Sequence, residues 1–207
     1  MTRTLTLDAS MAACSVGLVD DDGLVRERRV EGDLAALPAL VADLLATHGR
    51  RVDRVAVIVG PGSFTGLRAS IALAHGVGLA SGAPVVGVTV GAALASMDGV
   101  PSDRPFWAAI DSKRGRVFLE REGRIESVAL DALPLPPSPI ALGGDAALAV
   151  GEALAARGAD VQLSPQRHPA PSGIARAAAS GRTVAAQPVY VDPPAARPGP
   201  AGRPAPR

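Results

Sequence analysis

The chain has 207 residues, a hydrophobic content of 47% and a net charge of +1, with Lys plus Arg at 21 and Asp plus Glu at 20. This balance lacks the strong basic excess that is typical of nucleic-acid-binding domains. Aromatic residues are scarce, so the core has to be built from Ala, Val and Leu. No apolar stretch approaches the ~20 residues that span a bilayer, and the single cysteine, Cys14, excludes an internal disulfide. We therefore expect a cytoplasmic protein without a membrane segment, and a small buried Cys14.

The first half of the chain predicts a three-stranded meander followed by alternating strands and helices. The predicted strands are 4–7, 13–19, 24–30, 55–59 and 84–89, and the predicted helices are 33–47, 67–80 and a short one ending near 97. The acidic turn that ends in Gly23 is a hairpin signal between the second and third strands. Asp33 is the expected N-cap of the first helix, because its carboxylate can accept exposed backbone N–H groups.

The second half repeats this opening pattern after a polar break at 98–103. The predicted strands are 106–110, 116–120, 124–128, 140–142 and 160–163, and the predicted helices are 146–157 and 171–179. An Asp follows the first strand of each meander, at Asp8 and Asp111. The repetition predicts a duplicated α/β fold with a cleft between the copies. We divide the chain into an N-terminal domain, 1–98, a shorter C-terminal domain, 104–192, and a disordered tail, 193–207, rich in Pro, Ala and Arg.

A glycine-rich corner, 60–68, joins an apolar strand to the second helix and reads GPGSFTGLR. It resembles a phosphate loop in its placement, but it has no lysine and its glycine spacing differs from that of a P-loop. One interpretation is an anion site at the start of the helix, with Asp8, Gly60, Gly62 and Ser63 as weak nucleotide-binding candidates. The alternative is a tight strand–helix connection in which glycine serves close packing alone.

Two further groups of charged residues have open interpretations. Asp8 and Asp111 can together hold a hydrated Mg²⁺ or orient water in the predicted cleft, or each can bind the backbone of its own turn. Lys113, Arg114 and Arg116 form either a solvated turn or a site for an acidic group. The histidines His48, His75 and His168 are too scattered for a local ligand pair, so we expect no metal and no cofactor.

Several segments together resemble the TsaB (YeaZ) family. They are the glycine-rich corner with its preceding strand, 55–68, the opening segment 7–16, the strand 84–88, the turn 111–118 and the late segment 188–194. The resemblance runs from residue 1 to about 194, in order and at similar spacing, and the corner is its most specific part. It implies the actin-like, ribonuclease H-like duplicated fold of sugar kinases and Hsp70, built from two small α/β domains.

The resemblance also implies a function. TsaB-type proteins are non-catalytic subunits that bind a catalytic paralogue of the same fold, TsaD, and act with the ATPase TsaE. Together these proteins transfer threonylcarbamoyl to N6 of the adenosine beside the anticodon in tRNAs that read codons beginning with A. We expect tRNA to be bound indirectly, through the complex, and the isolated chain to form a homodimer. The alternative from a different class is a stand-alone ATP-dependent phosphotransferase or hydrolase of the same fold.

In this family the first two helices form the dimer surface. Carried over to this chain, the resemblance implies interface residues Leu34, Leu37, Val41, Leu44, Arg68, Ala69 and Ala72. The alternative is that these helix faces only cover their own sheet, as every helix of an α/β fold must. Family members often carry a His-Ser pair at the entrance to the first helix, whereas this chain has Gly32 and Asp33 before Leu34.

Overall fold

The computed structural model describes residues 2–23 and 25–191, which form two five-stranded sheets with associated helices. The strands are β1 (Arg3–Asp8), β2 (Ala13–Asp20), β3 (Val25–Glu31), β4 (Arg54–Gly60), β5 (Val85–Thr89), β6 (Phe106–Asp111), β7 (Val117–Arg121), β8 (Arg124–Val128), β9 (Ile140–Gly143) and β10 (Val161–Leu163). The helices are α1 (Leu37–His48), α2 (Phe64–Ser81), α3 (Val90–Ala95), α4 (Ala147–Ala155) and α5 (Pro171–Ala179). The predicted order of elements is confirmed.

The two sheets have the same topology, which confirms the duplicated fold. The first has the order β3-β2-β1-β4-β5 and the second has β8-β7-β6-β9-β10. In each, the first three strands form an antiparallel meander, and the last two add parallel to its first strand. Asp8 and Asp111 are the last residues of the equivalent strands β1 and β6.

The strand sequences explain their positions in the sheet. β4 lies between β1 and β5 and is buried from Val55 onward, as expected for a parallel strand covered on both faces. β3 lies at the edge and carries a run of charged residues, Arg26, Glu27, Arg28 and Arg29. Charged edge strands resist pairing with other chains, so this edge is protected.

One strand, β6, contributes to both hydrophobic cores of the molecule. Its Ala108 and Ile110 pack with the first sheet, while Trp107 and Ala109 face the core under α4. The two halves are therefore joined through a shared strand.

Helix α5 belongs by sequence to the second half but packs on the first sheet. It contacts α3 and strands β1, β2, β4 and β5, and it places Ile174 and Ala177 in the first core. Gly17 of β2 is necessary here, because a Cβ at that position would lie 2.4 Å from Cβ of Pro171. The segment 104–192 is thus continuous in sequence, but its packing is divided between both sheets.

The helix boundaries differ from the predicted ones in two places. A 3-10 turn, Leu34–Ala36, precedes α1, and Asp33 caps that turn by accepting from the N–H groups of Ala35 and Ala36. Helix α2 begins at Phe64, three residues before the predicted start, because Ser63 accepts from the N–H of Gly66 at 3.3 Å. No helix within 2–23 and 25–191 has the length and apolarity needed to cross a membrane. The predicted tail, 193–207, and the start of the third predicted strand at residue 24 lie outside the described residues.

Candidate functional site

A cleft of about 1060 Å³ separates the two halves at the carboxyl ends of β1, β4 and β6. One wall is the glycine-rich corner with the first turn of α2, and the opposite wall is the β6–β7 turn. The C-terminal segment, 189–191, closes one side. Its lining residues include Ser10, Met11, Ser63, Phe64, Arg68, Asp111, Lys113, Arg114, Phe118, Asp145, His168 and Tyr190. The cleft predicted from the sequence repeat is therefore present.

The glycines of the corner admit the β1–β2 turn of the same chain. A Cβ on Gly62 would lie 2.2 Å from the carbonyl oxygen of Ser10, and one on Gly66 would lie 1.9 Å from that of Ala9. The N–H of Ser63 also donates to the carbonyl oxygen of Ser10 at 2.7 Å. These contacts match the close-packing interpretation of the corner.

Gly60 and Ser63, the other candidates in this corner, are also engaged by the chain itself. Gly60 has a φ of +124°, and a Cβ there would lie 3.2 Å from the carbonyl oxygen of Val189. The Ser63 hydroxyl caps α2, although its residue remains exposed at the cleft. A nucleotide site at the corner stays a prediction.

The two aspartates at the equivalent strand ends have different environments. Asp8 is buried and does not line the cleft; its Oδ1 accepts from the N–H of Ser10 at 2.8 Å. Burial raises the pKa of Asp8, while its bond to Ser10 opposes that shift. Asp111 lines the cleft, so the structure does not present the two carboxylates together to one ligand.

The cleft side of the second half is a compact charged cluster. Oδ2 of Asp111 accepts from Nζ of Lys113 at 2.8 Å, and Nζ also lies 3.7 Å from Oδ2 of Asp145. The hydrogen bond from Lys113 lowers the pKa of Asp111, and the same bond raises the pKa of Lys113. The ammonium group of the only lysine in the chain thus stays protonated between two carboxylates, and their negative charges balance its positive charge.

The remaining predicted basic residues separate in space. Arg116 donates to the hydroxyl and carbonyl oxygens of Ser127 at 2.9 and 2.6 Å, so it fixes its own hairpin. Arg114 lines the cleft, and its guanidinium makes no ion pair or hydrogen bond with the described residues. Cys14 is buried in β2, as expected, and burial raises the pKa of its thiol.

Sequence reasoning missed an aromatic–arginine cluster at the cleft mouth, formed by Phe64, Arg68 and Tyr190. Cζ of Arg68 lies 3.8 Å from the centroid of the Phe64 ring, and its Nε donates to the Tyr190 hydroxyl at 2.9 Å. The two ring centroids are 5.6 Å apart. Tyr190 is distant in sequence from the corner, so the resemblance marked both segments, 55–68 and 188–194, but gave no sign that they meet.

A buried carboxylate, Glu120 on β7, links the second half to the first. It accepts from the N–H of Gly91 at 2.8 Å and from the hydroxyl of Thr89, which itself caps α3. A Cβ on Gly91 would lie 2.4 Å from the Glu120 carboxyl carbon, so a larger residue there would displace the carboxylate. Burial raises the pKa of Glu120 despite these hydrogen bonds.

We expect Glu120→Gln to change the pH dependence of stability. Because the pKa of Glu120 is higher in the folded than in the unfolded state, the folded protein binds the proton of this carboxyl group more tightly. The associated stabilisation is complete below the unfolded pKa of about 4.5 and is lost as pH rises through the folded pKa. Urea unfolding of both proteins from pH 4 to 8 measures this: wild-type stability minus variant stability should fall as pH rises. Asp8 titrates in both proteins, so the difference isolates Glu120; a pH-independent difference would contradict the prediction.

The candidate interface residues lie in two environments. Leu37, Val41 and Leu44 are buried in the first core, since α1 packs on β2 and β3, and these side chains cover their own sheet. The outward side of α1 consists of exposed Pro38, Ala39, Ala42, Asp43, Ala46 and Thr47. This placement corrects the predicted contact set, because side chains with almost no accessible surface cannot touch a partner of the folded chain.

The remaining candidates are accessible to different degrees. Leu34 and Ala69 are half-buried, whereas Arg68 and Ala72 are exposed on α2. Ala72 is followed on the same side by Gly76 and Leu79, which sequence reasoning did not select, and the Leu79 side chain is 89% exposed. An outward apolar strip therefore exists on α2.

Comparison with known proteins agrees with this architecture. The family model described as "TsaD: tRNA N6-adenosine threonylcarbamoyltransferase" matches residues 34–178. The tRNA threonylcarbamoyladenosine biosynthesis protein TsaB of Escherichia coli (strain K12) is 31% identical over 135 residues, a match that covers 60% of this chain and 57% of that protein. The chain therefore aligns with little more than half the length of this curated relative.

Solved structures extend the likeness to nearly the whole chain. YeaZ from Pseudomonas aeruginosa has a TM-score of 0.70 and 27% identity. The match covers 92% of this chain and 100% of that chain. A ROK family protein from Streptococcus pneumoniae TIGR4, in complex with sucrose, has a TM-score of 0.50 at 10% identity. The match covers 85% of this chain and 96% of that chain, and at this identity it supports a shared fold only. These neighbours share the duplicated actin-like fold. Since the family model matches more than half of its length, the chain belongs to the threonylcarbamoyltransferase family, in its TsaB (YeaZ) branch.

Proposed function

We propose that this protein is the non-catalytic partner subunit of a tRNA threonylcarbamoyltransferase complex, and that it binds the catalytic paralogue TsaD. In this proposal the complex, which also employs TsaE, modifies N6 of the adenosine beside the anticodon. The family relationship supplies the pathway, because the relative is named for threonylcarbamoyladenosine biosynthesis. The outward apolar strip of α2 is the observation that supports a partner role.

The strip has more apolar surface than its own sheet requires. Leu67, Ile71 and Ala74 already bury the inward side of α2 against the first sheet. Ala72 and Leu79 lie on the opposite side, where Leu79 is 89% exposed, and contiguous exposed apolar faces are the ones that mark partner sites. Small residues at 72 and 76 would allow the helix of a partner to approach closely. The same strip supports homodimer formation by the isolated chain.

The histidines support a non-catalytic role through their separate environments. Nε2 of His75 lies 3.0 Å from the carbonyl oxygen of Ala186, and Nδ1 of His168 lies 3.0 Å from the sulfur of Met11. His48 is in the last turn of α1. A catalytic metal centre needs such ligands to converge on one point, and here they do not.

We expect the isolated chain to be inactive in transfer. Purified protein supplied with threonylcarbamoyl-adenylate and unmodified tRNA should yield no N6-threonylcarbamoyladenosine, whereas adding TsaD and TsaE from the same organism should restore the product. Mass spectrometry of digested tRNA measures the yield of N6-threonylcarbamoyladenosine. Product formed by the isolated chain would refute the non-catalytic role, and a full yield from TsaD and TsaE without this chain would refute the subunit role.

A further inference from the structure

We propose that the aromatic–arginine cluster of Phe64, Arg68 and Tyr190 is a stacking platform for an unpaired base of the tRNA. The proposal rests on the proposed function, which supplies tRNA as the substrate. It goes beyond that function because it gives this subunit direct contact with RNA, at the cleft mouth, one helical turn before the apolar strip of α2.

The cluster is a set of flat groups held in place while still accessible. The Phe64 and Tyr190 side chains are 51% and 52% exposed, yet Arg68 binds both, through the ring of Phe64 and the hydroxyl of Tyr190. The N–H of Val189 donates to the carbonyl oxygen of Val59 at 2.8 Å, which anchors the segment that carries Tyr190. Such pre-ordered rings and guanidinium planes are the groups on which unpaired bases stack.

The composition of the chain makes this exposure informative. The sequence contains three phenylalanines, one tyrosine and one tryptophan. Trp107 is buried in the second core, Phe106 packs against the first, and Phe118 lines the same cleft as Phe64 and Tyr190. A chain with so few aromatic side chains would gain more stability by burying its rings than by leaving two of them half exposed at one cleft.

Two arginines, Arg68 and Arg114, line the same cleft and can bind a phosphate beside the stacked base. Arg114 lines the cleft across from the cluster with its guanidinium unpaired among the described residues, and Arg68 lies within the cluster. Lys113 adds little, because Asp111 and Asp145 neutralise it. With few unpaired cations and a net charge of +1, stacking rather than phosphate attraction should supply most of the affinity.

RNA fits the cluster better than a protein partner does. Phe64 and Arg68 face a cleft of about 1060 Å³ that can admit a flipped-out nucleotide, whereas Ala72 and Leu79, which suit helix docking, do not line it. Hydroxyl groups of Ser63 and Thr65 also line the cleft, and these can donate to the polar edges of a base.

The experiment measures binding of the isolated, full-length chain to a labelled tRNA anticodon stem-loop by fluorescence anisotropy. The probe reads a codon that begins with A, and a fully paired RNA duplex of equal length is its control. We expect the stem-loop to bind at least about 10-fold more tightly than the duplex, because only the loop offers unpaired bases. Phe64→Ala and Tyr190→Ala should each weaken stem-loop binding by about 10-fold.

Matched variants separate stacking from other effects. Tyr190→Phe keeps the ring and should retain most of the affinity, while Leu135→Ala removes a side chain that is 50% exposed outside the cleft and should change nothing. Arg114→Ala should lower the affinity and reduce its salt dependence, whereas Arg182→Ala, another exposed arginine outside the cleft, should not. Thermal melts of each variant show whether it is folded.

Three results would overturn the proposal. The first is equal binding of stem-loop and duplex, and the second is unchanged stem-loop binding by folded Phe64→Ala and Tyr190→Ala variants. In the third, those variants keep RNA binding and instead lose association with TsaD, which would assign the cluster to a protein contact. All three can occur while the chain still supports modification with TsaD, so failure here is distinct from failure of the proposed function.

Discussion

Ala72→Glu should weaken association with TsaD by about 100-fold while leaving the monomer folded. Ala72 is exposed on the outward side of α2, so the new carboxylate is solvated in the free protein. In a helix–helix contact the same carboxylate would be buried without a partner, and the smallness of the alanine would be lost. Size-exclusion chromatography with mass measurement, with and without TsaD, detects the effect.

A control on the same helix separates loss of binding from loss of folding. Ala74 is fully buried against the first sheet, so Ala74→Glu should abolish cooperative thermal unfolding by placing a charge in the core. Leu79→Glu should behave as Ala72→Glu does, because Leu79 lies on the same outward side. If folded Ala72→Glu and Leu79→Glu both bind TsaD normally, the interface lies elsewhere.

The sequence predicted the duplicated fold because its signals are local. In the sequence, each meander consists of apolar strands that alternate with short turns, and an Asp ends the first strand of both copies. The repeat can therefore be recognised without any tertiary information. The glycine-rich corner was also visible, since three glycines next to a strand indicate a close approach of some group.

What approaches the corner could not be predicted, because that depends on contacts distant in sequence. The β1–β2 turn fills the space over Gly62 and Gly66, and Tyr190 reaches Arg68 from the far end of the described chain. For the same reason, the outward and inward sides of α2 were indistinguishable. Its residues are apolar almost all round, so periodicity does not mark the side that covers the sheet.

The interface residues predicted on α1 illustrate the same limit of sequence reasoning. Leu37, Val41 and Leu44 form an apolar stripe at helical spacing, which is equally consistent with a core face and a partner face. Burial against β2 and β3 assigns the stripe to the core. The accessible surface of α1 is formed instead by small and polar residues between them, including Ala42 and Asp43.

Gly66→Ala should destabilise the protein by about 3 kcal/mol. Gly66 lies in the first turn of α2, where alanine would normally favour the helix. Here the added Cβ would lie 1.9 Å from the carbonyl oxygen of Ala9, and backbone atoms cannot move aside as a flexible side chain can. The β1–β2 turn would have to shift, which would disturb the bond from Ser63 to Ser10 as well.

Gly76→Ala is the matched control, since it adds the same methyl group to the same helix. A Cβ on Gly76 would meet no atom within 4 Å, so this variant should be more stable than the wild type by about 0.5–1 kcal/mol through helix propensity alone. Urea unfolding of the two variants, followed by circular dichroism at a protein concentration where the wild type is monomeric, tests the opposite signs. Equal stability of Gly66→Ala and wild type would mean that the β1–β2 turn yields freely, and the corner would then be open to a ligand rather than filled by its own chain.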